Sequence, residues 1–384
     1  MGESGLRSVM RLRLLPTIAA LAVVTASLPS IALSLTLNFF GPAAAGIVSG
    51  VLSSAGPAWP GRELKKEDKA EGILMEYSWR TPDGRPLALS FLISRTDLEE
   101  SEKAFGYVRA ELKADLLTLE ASLKQKEDMT PMAIARRLIR QSRYSKFIEA
   151  HEGEGGEIEL KVDENRPLPP GIGAEVERLG KQLESTWGPC KKKISTALQK
   201  RMGIYLAERG LIRNDRGFGV RYEMLIRRSI PLMKPVAKEI MTMSSRCFDG
   251  RDLDALLSFV QQIPSQPVPE EDNGRYTAGC RVPLRVLADD GGDCDSKAVL
   301  FAALWESVHN YPLVLVSVPD HMLVGVTGCR SDGAHVVLDS IRYVLCEVCT
   351  RVPAPPGVIS RYAATCINRG QVRYTILDKT FGSR

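Results

Sequence analysis

Charge is missing from one long stretch of this sequence: between Arg13 and Arg62 there is no Asp, Glu, Lys or Arg. Histidine is scarce, with four in 384 residues. No internal repeat is visible, and no compositional bias makes the chain collagen-like, disordered throughout or a disulfide-stapled miniprotein. Neither charge sign dominates. Against 51 basic residues stand 46 acidic ones, a net of +5, so composition gives no reason to expect a nucleic-acid partner. What is present is ordinary for globular protein, 44% hydrophobic and 25% charged, over a length that suggests about two domains. Eight cysteines are a normal usage at this length, so each must be judged by its surroundings.

The uncharged window begins with an apolar stretch, Leu14 to Phe40, behind a basic lead of Arg7, Arg11 and Arg13. A bilayer core needs about 20 apolar residues in a helix, so this stretch is expected to be a retained single-pass anchor. Pro29 would kink it. Two other readings stay open. Leu14 to Leu28 fits a signal peptide cleaved near Ala26, and a turn at Gly41-Pro42 could return a second helix over Ala43 to Trp59, with Gly46 and Gly50 as a close-packing pair. With a single span the basic lead is expected to stay in the cytoplasm and the remainder of the chain outside it, an orientation that Arg62, Lys65 and Lys66, directly after the window, oppose.

Residues 1–61 thus read as anchor or signal and linker. Residues 62–250 read as a β-hairpin plus a basic helical region, and residues 251–384 as the part that carries chemistry. The hairpin is expected over 73–80 and 86–93 around Pro82-Asp83-Gly84. Thr96 and Glu99 suggest a capping box for a helix reaching Lys126, and a second helix is expected from Pro131 to Glu149. Residues 151–173 read as a loop. Between Lys191 and Arg246 fourteen Lys/Arg face four acids. Solvated helix faces explain that excess better than a docking surface, because Ile204, Leu206, Leu211 and Leu225 offer apolar positions to bury.

The chemistry concentrates at Asp290-Gly291-Gly292-Asp293-Cys294-Asp295-Ser296. Two glycines permit a tight turn and close backbone approach. Cys294 then opens a helix that is apolar nearly all round (Ala298 to Trp305), and such a helix is buried. Its N-terminus carries unpaired N–H groups and a positive dipole end, which favour a thiolate. After Tyr311-Pro312 come two apolar strand runs, Leu313 to Val318 and Met322 to Val326, with His321 at the start of the second. None of the other histidines (His151, His309, His335) shares that context. A cysteine helix followed by a histidine strand suits nucleophilic thiol catalysis. A third group must orient the imidazole. Asp339 lies in a turn-forming sequence, Asp-Ser, whereas Glu347 sits in an apolar run where a carboxylate is costly unless paired. Glu347 therefore ranks ahead of Asp339.

These residues resemble the transglutaminase-like cysteine peptidase superfamily, in particular its prokaryotic, often membrane-anchored members. The resemblance is carried by Phe259 to Pro264, by Pro283 to Leu287 leading into Gly291-Gly292-Asp293-Cys294-Asp295, by Pro319-Asp320-His321-Met322-Leu323-Val324-Gly325-Val326, and by Tyr343-Val344-Leu345-Cys346-Glu347. It covers about 256–350 strongly. It departs at Ser296, where the family commonly has Asp, and at the Glu-Val-Cys-Thr run from Glu347. The resemblance implies an α+β fold with a papain-like core, in which a helix carrying the cysteine packs on an antiparallel sheet carrying the histidine and acid. It further implies Cys294 as nucleophile, His321 as base and Glu347 as the acid, with Asp339 as the fallback because the broader superfamily has an aspartate on that strand, and Gln261 as a weaker candidate for an oxyanion donor. The expected activity is amide-bond hydrolysis or transamidation of a protein or peptide through a thioester, with no cofactor or metal. The alternative is a non-catalytic binding module or envelope scaffold that keeps the fold. Cys346 and Cys349 form a C-x-x-C, but residues three apart on a strand face opposite ways, which disfavours a zinc site with Cys329 and Cys366.

Overall fold

The computed structural model describes residues 10–12, 51–52, 62–80, 85–126, 130–153, 157–163, 166–214, 217–247, 251–329, 331–350 and 352–377. The apolar stretches at 14–40 and 43–59, and the hairpin turn at 82–84, lie outside the described residues. Among the described residues no helix is long and apolar enough to cross a membrane. The chain is mixed α+β and divides into two compact units. One comprises residues 1–38 and 110–205, the other 39–109 and 206–384.

In the first unit, Pro131 occupies the first turn of helix Pro131–Gln141, capped by Thr130, whose side chain accepts the Ala133 N–H at 3.0 Å. That helix stops at Gln141, short of the expected Glu149. Ile148–Glu152 is instead a strand, paired antiparallel with Ile158–Val162, which in turn pairs with Met10–Leu12. The region from 151 that read as a loop therefore contains the second strand of a hairpin. The alternation of Ile158 and Leu160, both buried, carries its pattern over too few residues to stand out beside the Gly-Glu cluster. A long helix, Ile172–Glu208, continues through Pro189. Val176, Leu179, Leu183, Trp187, Ile194, Leu198 and Met202 form its buried seam, which explains where its apolar residues go while its lysines stay near solvent. Arg201 grips Asp115 through two 2.8 Å hydrogen bonds.

The second unit begins with three antiparallel strands, Glu63–Asp68, Gly72–Arg80 and Pro86–Ser94. Strict alternation in the third strand points Leu87, Leu89, Phe91 and Ile93 inward. Met75, Tyr77 and Trp79 join them from the middle strand. Ser94, rather than Thr96, caps the next helix by accepting the Asp97 N–H at 3.2 Å. That helix spans only Arg95–Ala104; Gly106 (φ 72°) turns the chain into Tyr107–Val108 before helix Arg109–Lys126 starts. The single helix expected to Lys126 is thus two, because a left-handed residue cannot continue a right-handed helix.

Helices Tyr222–Cys247, Asp252–Gln262, Pro283–Asp289 and Cys294–Val308 follow. They precede a five-stranded antiparallel sheet in the order Ile341–Cys346 flanked by His335–Leu338 and His321–Val326, then Leu313–Val318 and Arg373–Leu377. Residues 296–305 of the Cys294 helix are all buried. This helix packs on the Tyr222 helix and on strand His321–Val326. Helix Asp252–Gln262 lies against it, and its Phe259 meets Tyr77 and Phe91 edge to face and Trp79 at a tilt, all from the three-stranded sheet. Trp79 Nε1 donates to Ser258 Oγ at 3.0 Å and Tyr77 Oη to Leu287 O at 3.1 Å. The hairpin sheet and residues 251–377 therefore share one core.

Candidate active site

The segment before Cys294 is built by backbone capping. Helix Pro283–Asp289 ends at Asp290, which is left-handed (φ 56°, ψ 49°). The Asp290 and Gly291 N–H groups donate to the Leu287 and Val286 carbonyls at 3.2 and 3.0 Å. The left-handed position thus falls on Asp290, a residue type that tolerates it, and not on either glycine. Its carboxylate is held by the Arg62 guanidinium. The glycines serve the other expected purpose, close approach: a Cβ on Gly291 would lie 2.3 Å from the Gln266 side chain, and one on Gly292 3.1 Å from Ser296 Cβ. Gly292 also pairs with Ser265 and bonds Pro264 and Gln266. Asp293 then caps the helix, accepting from Ser296 N at 3.0 Å and from Ser296 Oγ at 2.6 Å. Ser296, fully buried, accepts in turn from the Arg281 N–H at 2.9 Å. Cys294 is consequently the first residue of its helix, where backbone N–H groups lack intrahelical acceptors.

His321 opens its strand after the Pro319-Asp320 turn, with Asp320 left-handed at φ 52°. Its Nε2 meets Glu347 Oε1 at 2.5 Å. Glu347 is 1% exposed, just beyond the end of strand Ile341–Cys346, and its Oε2 accepts the Ser360 N–H at 3.0 Å. Burial works against the imidazolium, but the hydrogen bond and charge of Glu347, with a contribution from Asp295, outweigh it and hold His321 above its ordinary range. Asp339 and Ser340, both left-handed and exposed, form the turn between the last two strands of this edge. The structure brings Glu347, and not Asp339, to His321.

The Cys294 thiol donates to Asp295 Oδ1 at 3.3 Å, and among the described residues no hydrogen bond joins it to His321. Burial, then the charge and hydrogen bond of Asp295, push the thiol well above its ordinary value. A thiolate favoured by the helix N-terminus is therefore not the resting form. The dipole is worth about 1 kcal/mol in such positions, less than burial beside a carboxylate costs.

Gln261 is not placed as an oxyanion donor. Both protons of its amide are used, on the carbonyls of Glu347 and Ala354 at 2.8 Å each, while its Oε1 accepts the Ala354 N–H at 3.2 Å. It is 2% exposed and anchors the segment that carries Glu347. Lys297 lies one turn after Cys294, fully buried. Its ammonium donates to the carbonyls of Ile263 at 2.7 Å and Gln261 at 3.4 Å, at the C-terminal end of helix Asp252–Gln262, where the dipole favours a cation. Burial lowers its pKa to about 8. Cys349 contacts Ser265 Oγ at 3.0 Å, so it sits beside the Gly292 segment. Burial raises its thiol, and Lys297 partly offsets that.

Sequence reasoning gave no role to Tyr222, Lys297, Ser265 or Arg62. Lys297 carries a legible signal, a single cation inside an apolar helix one turn from the cysteine. Tyr222, whose hydroxyl donates to Asp295 Oδ2, carries none, because its partner lies far away in the chain. Cys190, Cys280, Cys294, Cys329, Cys346, Cys349 and Cys366 form no disulfide, and Cys346 is fully buried in its strand. Comparison of the chain with family models, curated proteins and solved structures found no match.

Proposed function

We propose that this protein is a thiol-dependent amide hydrolase or transamidase with a transglutaminase-like, papain-like core. The observation that carries the reading is the His321–Glu347 contact at 2.5 Å, on the strand against which the Cys294 helix packs. With Nε2 engaged by Glu347, Nδ1 is the ring nitrogen left to take the thiol proton. Sγ of Cys294 attacks the carbonyl carbon of an amide, and the unpaired N–H groups of the helix start receive the developing oxyanion. The C–N bond then breaks and the amine leaves with the proton held by His321. Water attacks the thioester in hydrolysis, and a second amine attacks it in transamidation. No group beyond this set is required. The apolar run Leu14 to Phe40 would tether the chain to a membrane and hold the catalytic unit outside the cytoplasm, with a protein or peptide as substrate.

The test is incubation of the full chain with a peptide library, with and without a primary amine, read by mass spectrometry. New termini or Gln-to-Glu conversion report hydrolysis, and incorporated amine reports transamidation. Both should vanish in Cys294→Ala and His321→Ala. An unaltered library with the wild-type chain, or equal activity in Cys294→Ala, would favour the non-catalytic binding module.

A further inference from the structure

Asp295 holds two protons at once: its Oδ1 accepts the Cys294 thiol at 3.3 Å and its Oδ2 accepts the Tyr222 hydroxyl. Tyr222 is the first residue of the helix packed along the Cys294 helix, so its phenol is fixed by a separate element. A carboxylate in the first turn of a helix would otherwise be free to rotate toward solvent. Other titratable groups also act on the thiol: Asp293 from its own turn, Cys349 from beyond strand Ile341–Cys346, and Cys280 from the segment leading into helix Pro283–Asp289. His321 from the neighbouring strand feels Asp295, while Lys297 and Glu347 act on Cys349. The groups that act on the Cys294 thiol are thus anionic or neutral, and the imidazole is not bonded to the sulfur.

We propose that Tyr222 and Asp295 form a latch that keeps the Cys294 proton on sulfur and the thiol directed away from His321 until the carboxylate moves. The inference rests on Cys294 being the nucleophile of the proposed reaction. A protonated thiol resists alkylation and oxidation, so the latch protects the sulfur between turnovers. Once Asp295 rotates away, the carboxylate no longer opposes the helix N-terminus, which favours thiolate, and the thiol is released to give its proton to the imidazole. Tyr222 and Asp295 are positioning residues in this scheme, since neither receives the substrate proton.

The experiment follows iodoacetamide alkylation of Cys294 in the full chain by peptide mass spectrometry, from about pH 5 to 10. Asp295→Asn keeps shape and removes charge; alkylation at neutral pH should rise about tenfold and the midpoint should move to lower pH. Tyr222→Phe should move both in the same direction by a smaller factor, because the carboxylate remains but is no longer held. Circular dichroism of each variant verifies the fold. A wild-type profile in either variant overturns the latch. Peptide turnover by Cys294→Ala is read separately: activity there overturns the nucleophile assignment, whereas the alkylation midpoints report on the latch whether or not turnover occurs.

Discussion

The side-chain amide of Gln261 binds the backbone carbonyl of Glu347 at 2.8 Å, so the carboxylate facing His321 is held from behind by a helix 86 residues earlier in the chain. Gln261→Leu removes this bond and two more to Ala354, leaving buried backbone groups unsatisfied. The expected cost is roughly 2–4 kcal/mol, measurable by urea denaturation. Turnover should fall as well, because Glu347 loses its seat, although Gln261 touches neither His321 nor Cys294 through any bond described.

The acid limb of the pH–rate profile should lie above about 6.5, the ordinary histidine value, because Glu347 holds His321 above that range and a protonated imidazole cannot act as base. Glu347→Gln removes the opposing charge and leaves burial, so the limb should move below it while the plateau rate drops. The sign for stability follows by linkage. A raised histidine contributes stability that is full below about pH 6.5 and lost as pH rises through the folded value. Thermal melts of wild type minus Glu347→Gln across that window read it.

Lys297 gives the opposite window. Its folded pKa of about 8 is below the unfolded value of about 10.4, so between these pH values the unfolded chain binds more protons at this site. Wild-type stability relative to Lys297→Met should therefore rise with pH from about 8 to 10. A flat difference across that range would contradict the burial of a titrating ammonium.

Trp79 joins the three-stranded sheet to the helix that carries Gln261. It is 1% exposed and bonded to Ser258. Trp79→Ala should cost about 3–5 kcal/mol, and the Trp79 and Cys294 regions should unfold in one transition, as followed by hydrogen exchange at the two sites. Separate transitions would show that the hairpin is an independent domain.

Close packing behind the site is equally checkable. A Cβ on Gly325 would fall 2.6 Å from Val314 Cγ1 and 3.0 Å from Tyr343 Cβ, both in the adjoining strands. Gly325→Ala should destabilise by about 1–3 kcal/mol, seen as a lower urea midpoint.

Much of the site was legible because its parts are local. Cys294 at the head of an apolar helix and His321 at the head of an apolar strand follow from periodicity and from Pro and Gly punctuation within a few residues. Glu347 stood out because a carboxylate amid apolar neighbours needs a partner. Gln261, a weaker oxyanion candidate by resemblance, instead spends its amide on the Glu347 and Ala354 carbonyls, and a likeness of motif says nothing of which acceptors two amide protons meet. The glycine pair was half read, since close approach is a property of Gly but the left-handed turn residue was Asp290. The helix from Thr96 was overextended because good helix formers on both sides of Gly106 hide one positive φ.

By itself the sequence determined the uncharged N-terminal window, the mixed α+β character and the order of cysteine helix, histidine strand and acid, all set by side-chain type and period along neighbouring residues. Tertiary structure alone decided that the hairpin of residues 72–94 shares a core with residues 251–377, that Gln261 spends its amide on the segment carrying Glu347, and that Tyr222 reaches Asp295 beside the thiol. Each of these joins residues distant in the chain. Such pairings are fixed by which buried faces and polar groups satisfy one another when the helices and sheet close together, and no local pattern encodes that choice.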